Sequence, residues 1–239
     1  MKKILLMLFV ISPVQLLSAD NSLYQFEWMD DDKEIYVLQN RKFRKTGRFN
    51  LSLMGNLNIS DKFVNTYGGG IKAAYFFKED WGIEFGFGIG KPTYNDTFDR
   101  VAEQQAVPFY NSITQHISAS VVWSPWYGKF NTFNVIYYLD WYISLGVAQV
   151  STEDDSPAFD VSSAQVNAKN FETNEESSLG LTWSTGFLWY LTKSIGLRVE
   201  FTGFHYRGVW TRQPTASIPE DFDVTFHNYN MGLGLNFLF

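Results

Sequence analysis

The feature that most restricts the fold of this chain is a period-two alternation of apolar residues with small or polar ones. The clearest example has five large apolar residues separated by Gly or Glu: Trp81, Ile83, Phe85, Phe87 and Ile89. Successive side chains of an extended strand point to opposite faces of a sheet. The segment is therefore predicted to be a β-strand with one wholly apolar face.

Seven further segments repeat this period, and helical periodicity is scarce. The eight predicted strands are 48–57, 67–77, 81–90, 113–123, 135–148, 179–189, 196–202 and 228–239. Short connections (78–80, 124–130 and 191–194) alternate with long ones (58–66, 90–112, 153–176 and 208–222). The pattern predicts an all-β fold: an eight-stranded antiparallel up-and-down transmembrane β-barrel over residues 46–239, with short periplasmic turns and long external loops.

A soluble β-sandwich also alternates, but its exposed face is rich in long charged side chains. Here the second face consists mainly of Gly, Ser, Asn and Thr, which suit a narrow lumen and favour a barrel with its apolar face toward lipid. Lipid leaves no water for backbone groups, so only a closed sheet survives there. Aromatic residues near strand ends are predicted to form an interfacial girdle: Tyr75, Phe77, Trp81, Trp123 and Trp189.

The N-terminus has the features of a secretory signal. Lys2 and Lys3 precede an apolar run over 4–11, and small residues end at Ala19, after which cleavage is predicted. A membrane anchor is the alternative, although the run is shorter than the ~20 residues that a span needs. Residues 20–45 then form a periplasmic segment, whose apolar run at 35–38 is expected to plug the periplasmic mouth or to pack against another copy.

Composition excludes several classes of protein. The chain has no cysteine, which excludes a disulfide scaffold and thiolate sites. Cleavage at residue 19 leaves 17 basic against 25 acidic residues, a balance that argues against nucleic acid as a partner. The connection 153–176 holds seven acidic residues and one basic residue. It is expected to be a solvated external loop, with divalent-cation bridging to lipopolysaccharide phosphates or a partner surface as the alternative.

The chain ends with a regular alternation of large apolar residues: Leu233, Leu235, Phe237 and Phe239. The last three resemble the assembly signal of bacterial outer-membrane β-barrels, and the strand pattern resembles the eight-stranded OmpA and OmpX type. Segments 36–41 and 124–130 are similar to an outer-membrane β-barrel domain family of predatory and gliding Gram-negative bacteria. The resemblance implies the outer membrane of a Gram-negative bacterium, with outer-membrane lipid and the barrel-assembly machinery as partners, and implies no defined activity.

An eight-stranded barrel is only just wide enough for its own side chains. The polar phase places six charged residues in this lumen: Arg48, Lys72, Glu84, Asp140, Arg198 and Glu200. Buried charges need partners. The three basic and three acidic groups are therefore expected to form a network that plugs the barrel, and a gated proton or ion path is the alternative.

No catalytic residue, cofactor or metal site is predicted. His116, His205 and His227 lack metal-site spacing. His205 and His227 fall on the outward phase near the external rim, where a girdle role is expected because no Ser or acidic residue adjoins them. The glycines of 86–91 do not form a phosphate loop, since the pattern would need Gly at position 85 and lacks the final Ser or Thr.

These features favour a structural or interaction protein that is homo-oligomeric and organises the surrounding lipid. Outward aromatic residues of the fifth and sixth strands are the candidate oligomer contacts: Tyr137, Trp141 and Trp183. Apolar residues within 90–112 are expected to fold onto the barrel or a neighbour. The alternatives are a narrow porin-like channel for ions or small solutes and, third, an outer-membrane lipid hydrolase.

Overall fold

The computed structural model describes residues 41–104, 110–133, 135–154, 174–212 and 220–239. The predicted signal peptide, the apolar run at 35–38 and most of the acidic connection 153–176 lie outside these residues.

Eight antiparallel strands form a closed barrel, in which each strand pairs with its neighbours in sequence and the first pairs with the last. The strands are β1 (Arg48–Asn58), β2 (Val64–Phe76), β3 (Trp81–Tyr94), β4 (Asn111–Thr132), β5 (Val135–Asp154), β6 (Asn174–Tyr190), β7 (Ile195–Arg212) and β8 (Glu220–Leu238). The predicted all-β, eight-stranded antiparallel up-and-down barrel is confirmed.

The barrel has two ends, which we name by their connections. Residues 77–80, 133–134 and 191–194 join strands at the turn end, where β1 begins and β8 finishes. Residues 59–63, 95–110, 155–173 and 213–219 join strands at the loop end. The prediction of a long connection over 58–66 is wrong, because β2 already begins at Val64 and only five residues separate it from the end of β1.

The predicted turn at 124–130 is also wrong. β4 continues through these residues to Thr132, and a bulge between Trp123 and Trp126 shifts its register against β5. A bulge tolerates Pro125, whose nitrogen cannot donate to the ladder. Pairing of β3 with β4 starts at Trp81 and Trp123, so the last nine residues of β4 and the start of β5 form a hairpin that extends beyond β3.

The two faces of the strands differ as the alternation predicts. In β3, Phe85 is 59% exposed on the outside whereas Glu84 is 4% exposed on the inside. The predicted girdle residues all lie at the turn end, where the rings of Trp81 and Trp123 stack at 5.9 Å. Tyr75 and Trp189 are half-buried and the other three are exposed.

A short helix, α1 (Asp96–Ala102), covers part of the loop end. The Asn95 side chain begins it by accepting hydrogen bonds from the backbone N–H groups of residues 97 and 98. Phe98 is fully buried against Val64 and Tyr110, as expected for the apolar residues of this connection. No helix among the described residues is long and apolar enough to cross a membrane.

Candidate functional site in the barrel lumen

Four of the predicted lumen charges meet in one buried network. Arg198 donates from Nη1 to Glu84 Oε2 at 2.7 Å and from Nη2 to Glu84 Oε1 at 3.0 Å. Its Nη2 also contacts Glu200 Oε2, and Lys72 Nζ pairs with Glu200 and lies 3.4 Å from Glu84 Oε1. Two cations thus neutralise two carboxylates.

Neutral groups complete the hydrogen bonding of this network. Arg198 Nε donates to Tyr142 Oη at 2.7 Å, and Tyr142 donates in turn to Glu200 Oε2 at 2.7 Å. Ser52 Oγ accepts from Arg198 Nη1 at 3.1 Å, and Thr202 Oγ1 donates to Glu200 Oε1 at 2.8 Å. Buried charges are retained without a large penalty only when they are paired and hydrogen-bonded in this way.

The fold brings these residues together because the barrel is narrow. Glu84 lies on β3 and Arg198 on β7, four strands away around the ring. Small residues provide the space between them. A Cβ at Gly186 would lie 2.6 Å from Tyr142 Oη, and one at Gly86 would lie 2.6 Å from Ser118 Oγ. The glycines on the inward phase therefore make room for the large polar side chains.

Asp140 forms a second buried ion pair, with a partner that the sequence analysis missed. Lys45 Nζ lies 2.5 Å from Asp140 Oδ2 and donates to Ser124 Oγ at 2.8 Å, and Tyr190 Oη donates to Asp140 Oδ2 at 2.7 Å. Both charged side chains are 2% exposed. The predicted lumen thus contains Lys45 in addition to five of the six expected charges.

The prediction for Arg48 is wrong, since its side chain is exposed. Arg48 has the inward phase but is the first residue of β1, where the lumen opens. A side chain at this rim reaches solvent, whereas Lys45 folds back from the preceding segment into the barrel.

Residues 41–47, here named the closing segment, fill the turn end of the lumen. The ring of Phe43 stacks on that of Tyr190 at 4.6 Å and packs with Leu188 and Leu238. Two side chains of the segment, Phe43 and Lys45, are buried in the barrel interior, so the barrel's packing begins before the predicted boundary between residues 45 and 46.

Glu79 in the β2–β3 turn anchors the closing segment. Its carboxylate accepts hydrogen bonds from Thr46 Oγ1 at 2.8 Å and from the Lys45 backbone at 3.2 Å. Burial alone would raise the pKa of Glu79, but these hydrogen bonds and the charge of Arg41 lower it below its usual value. Arg41 Nη2 also lies 3.0 Å from Asp80 Oδ1, which adds a second anchor.

Side chains block the lumen at successive levels. A cavity of about 20 Å³ lies between the Lys45–Asp140 pair and Arg198, and another of about 20 Å³ lies beside Glu200 and His116. Each accommodates about one water molecule. A cluster of buried apolar residues follows toward the loop end: Ile113, Ala148, Val150, Phe204 and Tyr206. The interior is packed rather than pore-like.

The loop end holds a larger cavity, of about 330 Å³, with Asp61, Asn111 and Tyr206 in its lining. Ser112 Oγ donates to Asp61 Oδ2 at 2.8 Å. Burial raises the pKa of Asp61 to about 6, although hydrogen bonds from Ser112 and Thr66 act in the opposite direction.

The two outward histidines are cross-strand partners on β7 and β8. His205 Nδ1 lies 2.6 Å from His227 Nδ1, and Trp183 Nε1 donates to His205 Nε2 at 2.9 Å. In the described part of the chain, neither histidine bonds to a serine or a carboxylate. The sequence did not reveal this chain of hydrogen bonds, because the contacts among Trp183, His205 and His227 depend on the register of three strands.

The other predicted outward residues remain on the barrel surface. Tyr137 is exposed, whereas Trp141 and Trp183 are half-buried, and Trp141 Nε1 donates to Thr185 Oγ1 at 2.9 Å. Among the predicted assembly-signal residues, Leu235 and Phe239 are exposed and Phe237 is half-buried. The described residues include no group of three or more His, Asp or Glu side chains placed to hold a metal ion.

No protein-family model and no curated protein sequence matches this chain. Similar solved structures include the outer membrane protein OprG from Pseudomonas aeruginosa, with 15% identity over 82% of this chain and 98% of that one and a TM-score of 0.48. The N-terminal β-barrel domain of OprF from the same bacterium has 16% identity over 81% and 98%, and a TM-score of 0.43. Ail, the attachment invasion locus protein of Yersinia pestis, has 13% identity over 81% and 99%, and a TM-score of 0.43.

These likenesses concern the chain's fold and not its activity. Its own strand pairing and packed interior define the class: a small closed eight-stranded β-barrel with a filled lumen.

Proposed function

We propose that this protein is an integral outer-membrane barrel of a Gram-negative bacterium, with a structural or interaction role and no transport through its lumen. The turn end then faces the periplasm and the loop end faces the exterior. Every strand has at least the ~9–11 residues needed to cross a bilayer at a tilt. The apolar exterior and the predicted secretory signal support this placement, and Leu235, Phe237 and Phe239 support recognition by the barrel-assembly machinery.

The buried Arg198 network carries the proposal. A solute that passed through the lumen would have to separate Arg198 from Glu84 and Glu200, and would then meet the Lys45–Asp140 pair and the Phe43 ring. Each separated charge would lie in a site with little water, where the cost of an unpaired ion is several kcal/mol. The apolar cluster beside Phe204 adds a layer that an ion cannot cross without losing its hydration.

Conductance of the purified protein in planar lipid bilayers tests the proposal. The wild-type protein is expected to show no steady current. A triple variant that removes one blocking side chain at each level, Lys45→Ser with Arg198→Ser and Phe204→Ser, is expected to conduct more than the wild type, and Arg100→Ser outside the barrel is the matched control. Steady open-pore currents from the wild-type protein would overturn the proposal in favour of a narrow channel.

We further propose that the protein is a homo-oligomer that organises lipid around the outward aromatic residues of β5 and β6, which include Tyr137, Trp141 and Trp183. The Trp183 ring lies 5.6 Å from Phe201 and 6.4 Å from Tyr229. The indole N–H groups of Trp141 and Trp183 are already bonded within the chain. Their rings therefore offer apolar surface to lipid or to a second copy without an unsatisfied donor.

Site-specific cross-linking in native membranes tests the oligomer. Because the chain has no cysteine, single-cysteine variants give an unambiguous product. Tyr137→Cys is expected to cross-link to a second copy, whereas Ile71→Cys, which is also exposed but lies on β2, is expected to cross-link much less. Only monomers with both variants would count against the oligomer and would leave the sealed-barrel proposal unaffected.

We do not assign a hydrolase function to the two histidines. Their bond to each other and the Trp183 donor occupy three of their four ring nitrogens, which fits a structural role at the membrane interface. A lipase assay on the detergent-solubilised protein tests this point. Activity that disappears in His205→Ala would require the enzyme alternative instead.

A further inference from the structure

We propose that the cavity at the loop end is a binding site for one neutral pyranose ring, either a free monosaccharide or the terminal sugar of a glycan. This inference is independent of whether the lumen conducts. The cavity has a volume of about 330 Å³, at the lower end of the range for small-molecule sites, which is roughly 300–1,000 Å³. This volume fits a single sugar ring rather than an extended chain.

An unpartnered hydrogen-bond donor in the cavity lining points to a ligand. Asn111 is 8% exposed, and its Nδ2 is buried without a hydrogen-bond partner. The amide cannot rotate to relieve this, because Asn111 Oδ1 accepts from Tyr206 Oη at 2.7 Å. Buried donors are almost always satisfied, and leaving one unpaired is costly. A ligand oxygen that accepts from Asn111 Nδ2 removes this cost.

Aromatic rings provide the apolar part of the cavity. Phe63, Tyr110, Tyr206 and Phe226 all contribute to its lining. The rings of Tyr206 and Phe226 stack at 5.7 Å with an interplanar angle of 25°, and Tyr206 is fixed from below by the buried apolar cluster. Two rings stacked on each other in this way give the cavity a fixed apolar surface before any ligand binds.

Asp61 supplies an acceptor on another side of the cavity. Its Oδ2 accepts from Ser112, which also lies 2.6 Å from Thr66 Oγ1, so the carboxyl group is held in place. A carboxyl group in the lining disfavours an anionic ligand, although the exposed Lys62 is also part of the lining. The site therefore requires a ligand that both donates and accepts hydrogen bonds.

A pyranose ring meets these requirements together. Its hydroxyl groups can accept from Asn111 and donate to Asp61, and its C–H faces can pack on the rings of Tyr206 and Phe226. A purely apolar molecule of the same size would leave Asn111 Nδ2 unpaired. The combination of aromatic walls with a few fixed polar groups is the usual design of a small-molecule site.

Calorimetric titration of the folded protein in detergent with D-glucose, D-galactose and D-mannose tests the proposal. At least one hexose is expected to bind, and cyclohexanol, which has one hydroxyl group, is expected to bind at least about tenfold more weakly. Asn111→Asp keeps the size and the acceptor for Tyr206 but removes the donor, and is expected to weaken binding about tenfold or more. Asn65→Asp, at an exposed position of β2 outside the cavity, is the control and is expected to bind as the wild type does.

Methyl glycosides of the bound hexose distinguish the two sources of the ring. Binding that survives methylation of the anomeric oxygen identifies the terminal sugar of a glycan, and binding lost on methylation identifies a free sugar. Asn111→Leu is a second variant in case the aspartate perturbs folding, which heat-modified migration in electrophoresis reports. No binding of any of the three hexoses, or equal affinity of the wild type and both Asn111 variants, would overturn the proposal.

Discussion

Arg198 and Glu84 form a two-point ion pair across the lumen, with N–O distances of 2.7 and 3.0 Å. The two residues lie on β7 and β3, which are opposite each other in the ring of eight strands. Parallel N–H···O bonds of this kind have a fixed geometry as well as a favourable energy. The pair therefore ties two walls of the barrel that share no backbone hydrogen bond.

Removing the cation of this network is expected to destabilise the barrel strongly. Arg198→Met leaves Glu84 without its main partner and Glu200 with Lys72 alone, and breaking such a buried pair costs about 3–5 kcal/mol. Urea unfolding of the protein in lipid vesicles measures the loss. The double variant Arg198→Met with Glu84→Gln is expected to recover most of it, because Lys72 then pairs with Glu200 and no charge is left without a partner. A loss below about 1 kcal/mol in the single variant would contradict the network's role.

The closing segment is expected to depend on Lys45. Lys45→Met removes the cation from Asp140, whose other oxygen, Oδ1, is buried without a hydrogen-bond partner. The segment is then expected to leave the lumen more often, so that trypsin cleaves faster after Arg41 and Arg44. Lys78→Met, an exposed change at the same end, is the control. Equal cleavage rates in the two variants would show that the Lys45–Asp140 pair is not needed to hold the segment in the lumen.

The stability of the protein is expected to fall as pH rises from about 4 to about 6 because of Asp61. Its pKa of about 6 in the folded protein lies above the 3.8 of an unperturbed aspartate. The folded state therefore disfavours ionisation, and the penalty is absent below pH 4 and complete above pH 6. Asp61→Asn is expected to raise the free energy of unfolding at pH 8 by about 2–3 kcal/mol and to leave it unchanged at pH 4.

Unfolding curves at the two pH values check this expectation. Asp223→Asn, at an exposed position of β8, is the matched control and is expected to have no such effect. A destabilising effect of Asp61→Asn at pH 8 would mean that the ionised carboxylate is stabilised by its hydrogen bonds more than it is penalised by burial.

Two glycines of the barrel are expected to respond differently to the same substitution. A Cβ at Gly146 would lie 2.1 Å from the Ala119 carbonyl oxygen and 2.5 Å from Ser120 Cα, whereas a Cβ at Gly55 would lie 3.7 Å from its nearest neighbour. Gly146→Ala must therefore push apart two strands and is expected to cost about 1–3 kcal/mol, while Gly55→Ala is expected to cost little. Guanidinium unfolding of both variants measures the difference, and equal stabilities would contradict the close approach of β4 and β5.

The sequence predicted the strand faces well because each apolar phase is long and uninterrupted. It could not predict the hairpin at the turn end, since Ser, Pro and Gly are equally typical of a turn and of a bulge within a strand. The pairing of Trp126 on β4 with Trp141 on β5 decides in favour of a bulge. This pairing joins residues that are distant in sequence, so the local sequence around Trp126 does not reveal it.

The lumen shows a similar limit. Alternation gives the direction of a side chain but not its depth, so Arg48 at the rim and Arg198 inside the barrel have the same pattern. Lys45 has no alternating neighbours that would indicate burial. Asn111 was not singled out, because the isolation of its amide depends on Tyr206, which lies on a strand distant in sequence.

The hairpin of β4 and β5 leaves one stretch of the sheet open. From Pro125 to Thr132, β4 has a strand on one side only within the described part of the chain. An open edge of this kind is a template on which another chain can add a strand. The hairpin carries three features that oppose such pairing: a bulge, a proline at 125 and a lysine at 129. The residues that resemble a turn in the sequence are thus expected to disfavour edge-to-edge pairing between two barrels.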